Sequence, residues 1–118
     1  MAFDDAINSI TNHLKTEGFG IVSEMRMHEK FKEKLGVDFK QYTILGACNP
    51  AYAYKALQME DKIGVMLPCN VLVIEQGIGK TEVAAINPLV SMQSVENHDL
   101  YDVAQNVSES LQKVIENI

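Results

Sequence analysis

The feature that most constrains this chain is an apolar run, Val71-Leu72-Val73-Ile74, followed by Gly77-Ile78-Gly79 and a second extended segment, Thr81 to Ile86. Two strand-like runs joined by a short loop containing glycine read as a β-hairpin. A hairpin requires antiparallel pairing, so any sheet here contains at least one antiparallel ladder. The remaining strands must be compatible with it.

Two further strands are predicted upstream. Residues Phe19, Ile21, Met25 and Met27 alternate with Val22, Glu24 and Arg26, the period of a half-buried strand. About Gln41 to Ala47, both faces (Tyr42/Ile44 and Thr43/Leu45) are largely apolar, as in an interior strand. Ile63, Val65 and Leu67 alternate briefly and stop at Pro68.

Helices fill the intervals. Phe3, Ile7, Ile10 and Leu14 put one apolar stripe on a helix that Gly18 can stop. His28 to Leu35 reads as a short helix with Phe31 and Leu35 inward, closed by Gly36. Asn49-Pro50 is a strong helix start: Asn caps well, and Pro at the first helical position gives up an N–H that has no partner there anyway. That helix extends to about Met59 with Ala53, Ala56 and Leu57 facing the core. Asn87-Pro88 ends the hairpin, an irregular stretch follows, and His98 to Ile118 forms the longest helix. Its stripe of Leu100, Ala104, Val107, Leu111, Val114 and Ile118 suits core packing against the sheet or, equally by spacing, a dimer seam. The architecture expected is a single α+β domain over residues 1–118, with one antiparallel or mixed sheet of about four strands and helices packed on one face.

Charge and composition exclude several functions. With 10 Lys and Arg against 16 Asp and Glu, net charge -6, the chain is a poor match for a phosphate backbone, so no nucleic-acid partner is expected. The densest basic stretch, Lys30, Lys32 and Lys34, is interleaved with Glu29 and Glu33 and reads as a solvated helix face. No window reaches the roughly 20 apolar residues of a membrane span, and the start Met1-Ala2-Phe3-Asp4-Asp5 has no secretory pattern. A cytoplasmic location without membrane contact is the expectation, and in a reducing compartment the two cysteines are thiols.

Two apparent motifs fail. Gly79-Lys80-Thr81 resembles the end of a phosphate-binding loop, but the first glycine would fall at Ile74 and the segment joins strands. His28-Glu29 resembles a zinc-protease motif, but Lys32 stands where the second histidine belongs. His13, His28 and His98 are widely separated and read as surface residues or caps.

One constellation remains: Cys48-Asn49-Pro50 together with Pro68-Cys69-Asn70. Cys48 lies just before a helix N-terminus, whose partial positive charge can favour a thiolate. If the strand ending at Ala47 pairs antiparallel with the one beginning at Asn70, both thiols fall at the same end of the sheet. Two close thiols can hold a soft metal ion with a further ligand, cycle between dithiol and disulfide, or simply pack as small apolar groups. An antiparallel return would put His28 at the opposite end, and a parallel crossover would bring it to the cysteines.

The same residues carry a resemblance. Tyr42-Thr43-Ile44-Leu45-Gly46-Ala47-Cys48-Asn49-Pro50, then Ala53 and Ala56-Leu57, then Met66-Leu67-Pro68-Cys69-Asn70-Val71 and Val73, resemble the prokaryotic family called domain of unknown function 302. Gly18-Phe19 and Lys34-Leu35-Gly36 fit as well, so the likeness extends from about Gly18 to Pro88. It implies a fold similar to the TATA-box-binding-protein class, a homodimer, and a family-defining site at Cys48, Asn49, Pro68 and Cys69. It supplies no reaction. Three readings follow: a dimeric binding module with a small-ligand or metal pocket bordered by Cys48 and Cys69, a thiol redox protein using the same pair, or an interaction domain whose cysteines are structural. The first is preferred, because no base stands near either cysteine and the compact redox spacing of two cysteines two residues apart is absent.

Overall fold

The computed structural model describes residues 1–91 and 97–118. Its sheet has four strands, β1 (Gly20–Arg26), β2 (Tyr42–Cys48), β3 (Cys69–Gly77) and β4 (Lys80–Ala85), in the order β1-β2-β3-β4. Every neighbouring pair is antiparallel, which resolves the choice between an antiparallel and a mixed sheet. The fold is α+β. Helices α1 (Phe3–Thr16) and α5 (Asp99–Glu116) cover one face of the sheet, while α2 (Met27–Leu35) links β1 to β2 and α3 (Pro50–Met59) follows β2.

The core lies between that face and the two long helices. Thr43, Leu45 and Ala47 of β2 and Cys69, Val71 and Val73 of β3 point into it and are buried. They meet Phe3, Ala6, Ile10 and Leu14 of α1 and Leu100, Val103, Val107, Leu111 and Val114 of α5. The stripe on α5 is therefore core, not a dimer seam, except at Ile118, which is 37% exposed.

Several expectations change. Between Ile21 and Ser23 the β1–β2 register shifts, so Ile21 opposes Ala47 while Glu24 opposes Leu45 and Arg26 opposes Thr43. Residues directly opposite share a face, and one inserted residue reverses the parity of everything after it. Met25 is consequently paired with Ile44 on the open face and exposed, although simple alternation put it with Ile21. The segment Asp61–Met66 is a 3₁₀ turn, not a strand: Ile63 is buried and Val65 exposed. Helix α2 buries none of its residues; Leu35 is exposed, and Phe31 packs edge-to-face on Phe39 at 5.2 Å instead of entering the core. Leu57 of α3 is likewise exposed. Short helices at the rim satisfy themselves by local contacts, because the face of the sheet is already taken by α1 and α5. Pro88–Ser91 forms a short helix, α4, where irregular chain was expected; the rest of that stretch, residues 92–96, lies outside the described residues.

Candidate functional site

Antiparallel pairing of β2 and β3 sets Ala47 opposite Cys69. The last residue of β2, Cys48, and the first of β3, Cys69, therefore come to the same end of the sheet. Both thiols are free; Cys69 is buried and Cys48 half-buried. Both residues line one cavity of about 30 Å³, together with Phe19, Tyr52, Ala53, Ala56, Leu67, Val103 and Val107. The lining is almost entirely apolar. A void of this kind holds no stably bonded water, since water needs two or more polar partners.

Asn49 also borders the cavity, but its polar atoms are in use. Its Oδ1 accepts from the N–H of Tyr52 at 3.5 Å, capping α3, and its Nδ2–H donates to the carbonyl of Glu17 at 3.3 Å. One side chain thus closes the first turn of α3 and ties it to the chain leaving α1. Gly18, with φ +83, passes close beneath: a Cβ there would stand 3.0 Å from Asn49 Nδ2. Pro50 occupies the first helical turn as its fixed φ allows.

Pro68 does not line the cavity. Its ring lies over Gly46, whose absent side chain leaves the room it fills. The structure thus brings Cys48, Asn49 and Cys69 to one cavity and leaves Pro68 outside its lining.

Burial in the apolar wall pushes the Cys69 thiol up from 9.0 to about 11, with the nearby Cys48 as the second cause. Cys69 is therefore a protonated thiol near neutrality and a poor nucleophile. No histidine assists. His28 lies at the other end of the sheet, where its Nδ1 accepts the N–H of Tyr42 at 3.0 Å and its ring meets Phe3 edge-on. The antiparallel return decides this placement. His13 contacts the carbonyl of Ser9 within α1, and His98 precedes α5 on the surface. Among the described residues, no group of three His, Cys, Asp or Glu side chains is gathered as a metal site. Among the described residues lining the cavity, Cys48 and Cys69 supply the sulfur donors.

Sequence reasoning did not single out Phe19, Tyr52, Val103 or Val107 as walls of the site. The i, i+4 spacing of Val103 and Val107 marks a core face of α5, but nothing local shows which strand end that face meets.

The family profile described as domain of unknown function DUF302 matches residues 1–118. Among solved structures, an uncharacterized conserved DUF302 protein from Bacillus stearothermophilus is similar over 98% of this chain and 90% of its own, at 27% identity and a TM-score of 0.90. No curated protein matches. No helix among the described residues is long and apolar enough to cross a membrane.

Proposed function

The chain belongs to the DUF302 family, and within it we propose that this protein is a binding module whose ligand is held in the apolar cavity by Cys48 and Cys69. The observation that carries this reading is that Cys48 and Cys69, far apart in sequence, both line the same small void. Core packing alone gives no reason for the two free thiols to share one void, one of them within reach of solvent. The cavity's size limits the ligand, because pockets for organic metabolites span roughly 300 Å³ or more.

The test is thiol counting on freshly purified, untagged protein, native and denatured, with and without a chelator, alongside elemental analysis. A bound species that masks both thiols until it is removed supports the module. Two empty thiols that react only on unfolding sink it and return both residues to the core.

A redox role for the same pair is favoured by one observation, that both cysteines are free in one cavity. It is opposed by the raised Cys69 thiol and by the position of His28 at the other end of the sheet. Formation of a Cys48–Cys69 disulfide under mild oxidation, lost in Cys48→Ser, would establish it. Self-association as a homodimer belongs to the proposal too. It is supported by exposed Val22 and Met25 on the edge strand β1, and sedimentation equilibrium that returns a monomer at all concentrations would remove it. A cytoplasmic setting, in which thiols stay reduced, is the environment this reading assumes.

A further inference from the structure

The number and kind of donors in the cavity restrict its ligand beyond a thiophilic species in general. Zinc in protein sites takes four ligands, or three with an open position, and among the described residues no third His, Cys, Asp or Glu joins the pair. Asn49 is not a spare donor, since its carbonyl caps α3 and its amide is bonded to Glu17. Calcium and magnesium require several oxygen ligands, and no carboxylate lines the cavity. Soft monovalent d¹⁰ ions differ: they prefer thiolates and are satisfied by two sulfur donors in line. A void of about 30 Å³ is of the size for one ion without its water shell and too small for a metabolite.

We infer that the ligand class of this cavity is a single soft monovalent cation of the copper(I) type, held between the Sγ atoms of Cys48 and Cys69. The inference rests on the binding reading above. Each thiol gives up its proton to solvent as the ion enters, so one cation and two neutral thiols become one bis-thiolate complex of charge minus one and two released protons. No oxidation or reduction takes place. Half-buried Cys48 is the point of entry and buried Cys69 the inner ligand. The residual negative charge lies against the N-terminus of α3, ten residues long, whose partial positive charge offsets part of its desolvation. The apolar walls, Phe19, Leu67, Val103 and Val107, keep competing water from the sulfurs.

The experiment is an anaerobic titration of the reduced, untagged chain with copper(I) against a chromophoric copper(I) chelator, with zinc(II) titrated in parallel. One copper(I) per chain is expected, together with no competitive zinc binding. Cys48→Ser and Cys69→Ala are each expected to weaken copper(I) by more than about 100-fold, beyond the 10- to 100-fold that altered surroundings alone produce. Because Cys69→Ala removes a buried core side chain, the sulfur count around copper is also read by X-ray absorption on the unaltered protein. Two sulfurs support the assignment; three or four, or oxygen and nitrogen neighbours, overturn it. Copper(I) binding that survives either substitution also overturns it. A chain that ignores copper(I) but arrives with a different occupant masking both thiols overturns the ion and leaves the binding reading standing. A chain that is empty, with both thiols inert until unfolding, overturns both.

Discussion

The ring of Pro68 occupies the space that a side chain on Gly46 would need: a Cβ built there would lie 2.8 Å from Pro68 Cγ and would also overlap the hydroxyl of Ser23. The Pro68 ring, one residue before Cys69, thus rests on Gly46 of β2, two residues before Cys48. Gly46→Ala must push this segment away, and overpacking of this kind costs about 1–3 kcal/mol. Urea denaturation of the variant reads the loss directly. An unchanged midpoint would show that Pro68 moves aside freely and that the close approach is not structural.

Asn49 acts through both ends of its amide. Asn49→Ala removes the cap of α3 and the tie to Glu17, and the expected loss is about 1–2 kcal/mol. Asn49→Asp keeps the capping acceptor but loses the donor to Glu17, so it should lie between the two. If Asn49→Asp proves as unstable as Asn49→Ala, the tie to Glu17 dominates and the cap contributes little.

The Cys69 thiol sets a pH window. Its value in the fold, about 11, lies above the 9.0 of an accessible cysteine. An unfolded chain therefore gives up this proton first as pH rises, and the associated stability, fully present below pH 9.0, is lost as pH climbs through about 11. A shift of this size corresponds to roughly 1–3 kcal/mol. The measurement compares urea unfolding of the wild type and Cys69→Ala from pH 8 to about 11, which cancels the lysines and tyrosines common to both. The gap between them should narrow with pH; a constant gap would mean that Cys69 ionises as freely in the fold as outside it.

Thr43 sits at 0% exposure in the middle of β2, and its Oγ1 has no hydrogen-bond partner among the described residues. A buried hydroxyl without a partner costs about 1–3 kcal/mol. Thr43→Val keeps the β-branched shape and is expected to stabilise the fold by about 1 kcal/mol. Thermal unfolding tests this, and a lowered melting temperature would mean that the hydroxyl is satisfied in solution.

Much of the architecture was legible in local chemistry. The hairpin at Gly77-Ile78-Gly79, the cap at Asn49-Pro50 and the stripes on α1 and α5 are short-range signals, each set by residues within one or two turns of each other. The coincidence of Cys48 and Cys69 at one end of the sheet followed once antiparallel pairing was assumed, because pairing direction alone decides which strand ends meet.

The sequence by itself determined the four strands, the helices α1, α2, α3 and α5, the antiparallel hairpin, the capped start of α3 and the apolar stripes of α1 and α5. Only the tertiary structure decided that β1 carries a bulge that turns Met25 outward, that α2 has no core face left to enter, and that Phe19, Tyr52, Val103 and Val107 close a void over the two thiols. It also sent His28 to the far end of the sheet from the cysteines. The physical reason is common to all of these. Periodicity reports which side of an element is apolar, whereas register, the competition of helices for one sheet face and the walls of a cavity depend on elements distant in the chain, whose meeting no local pattern encodes.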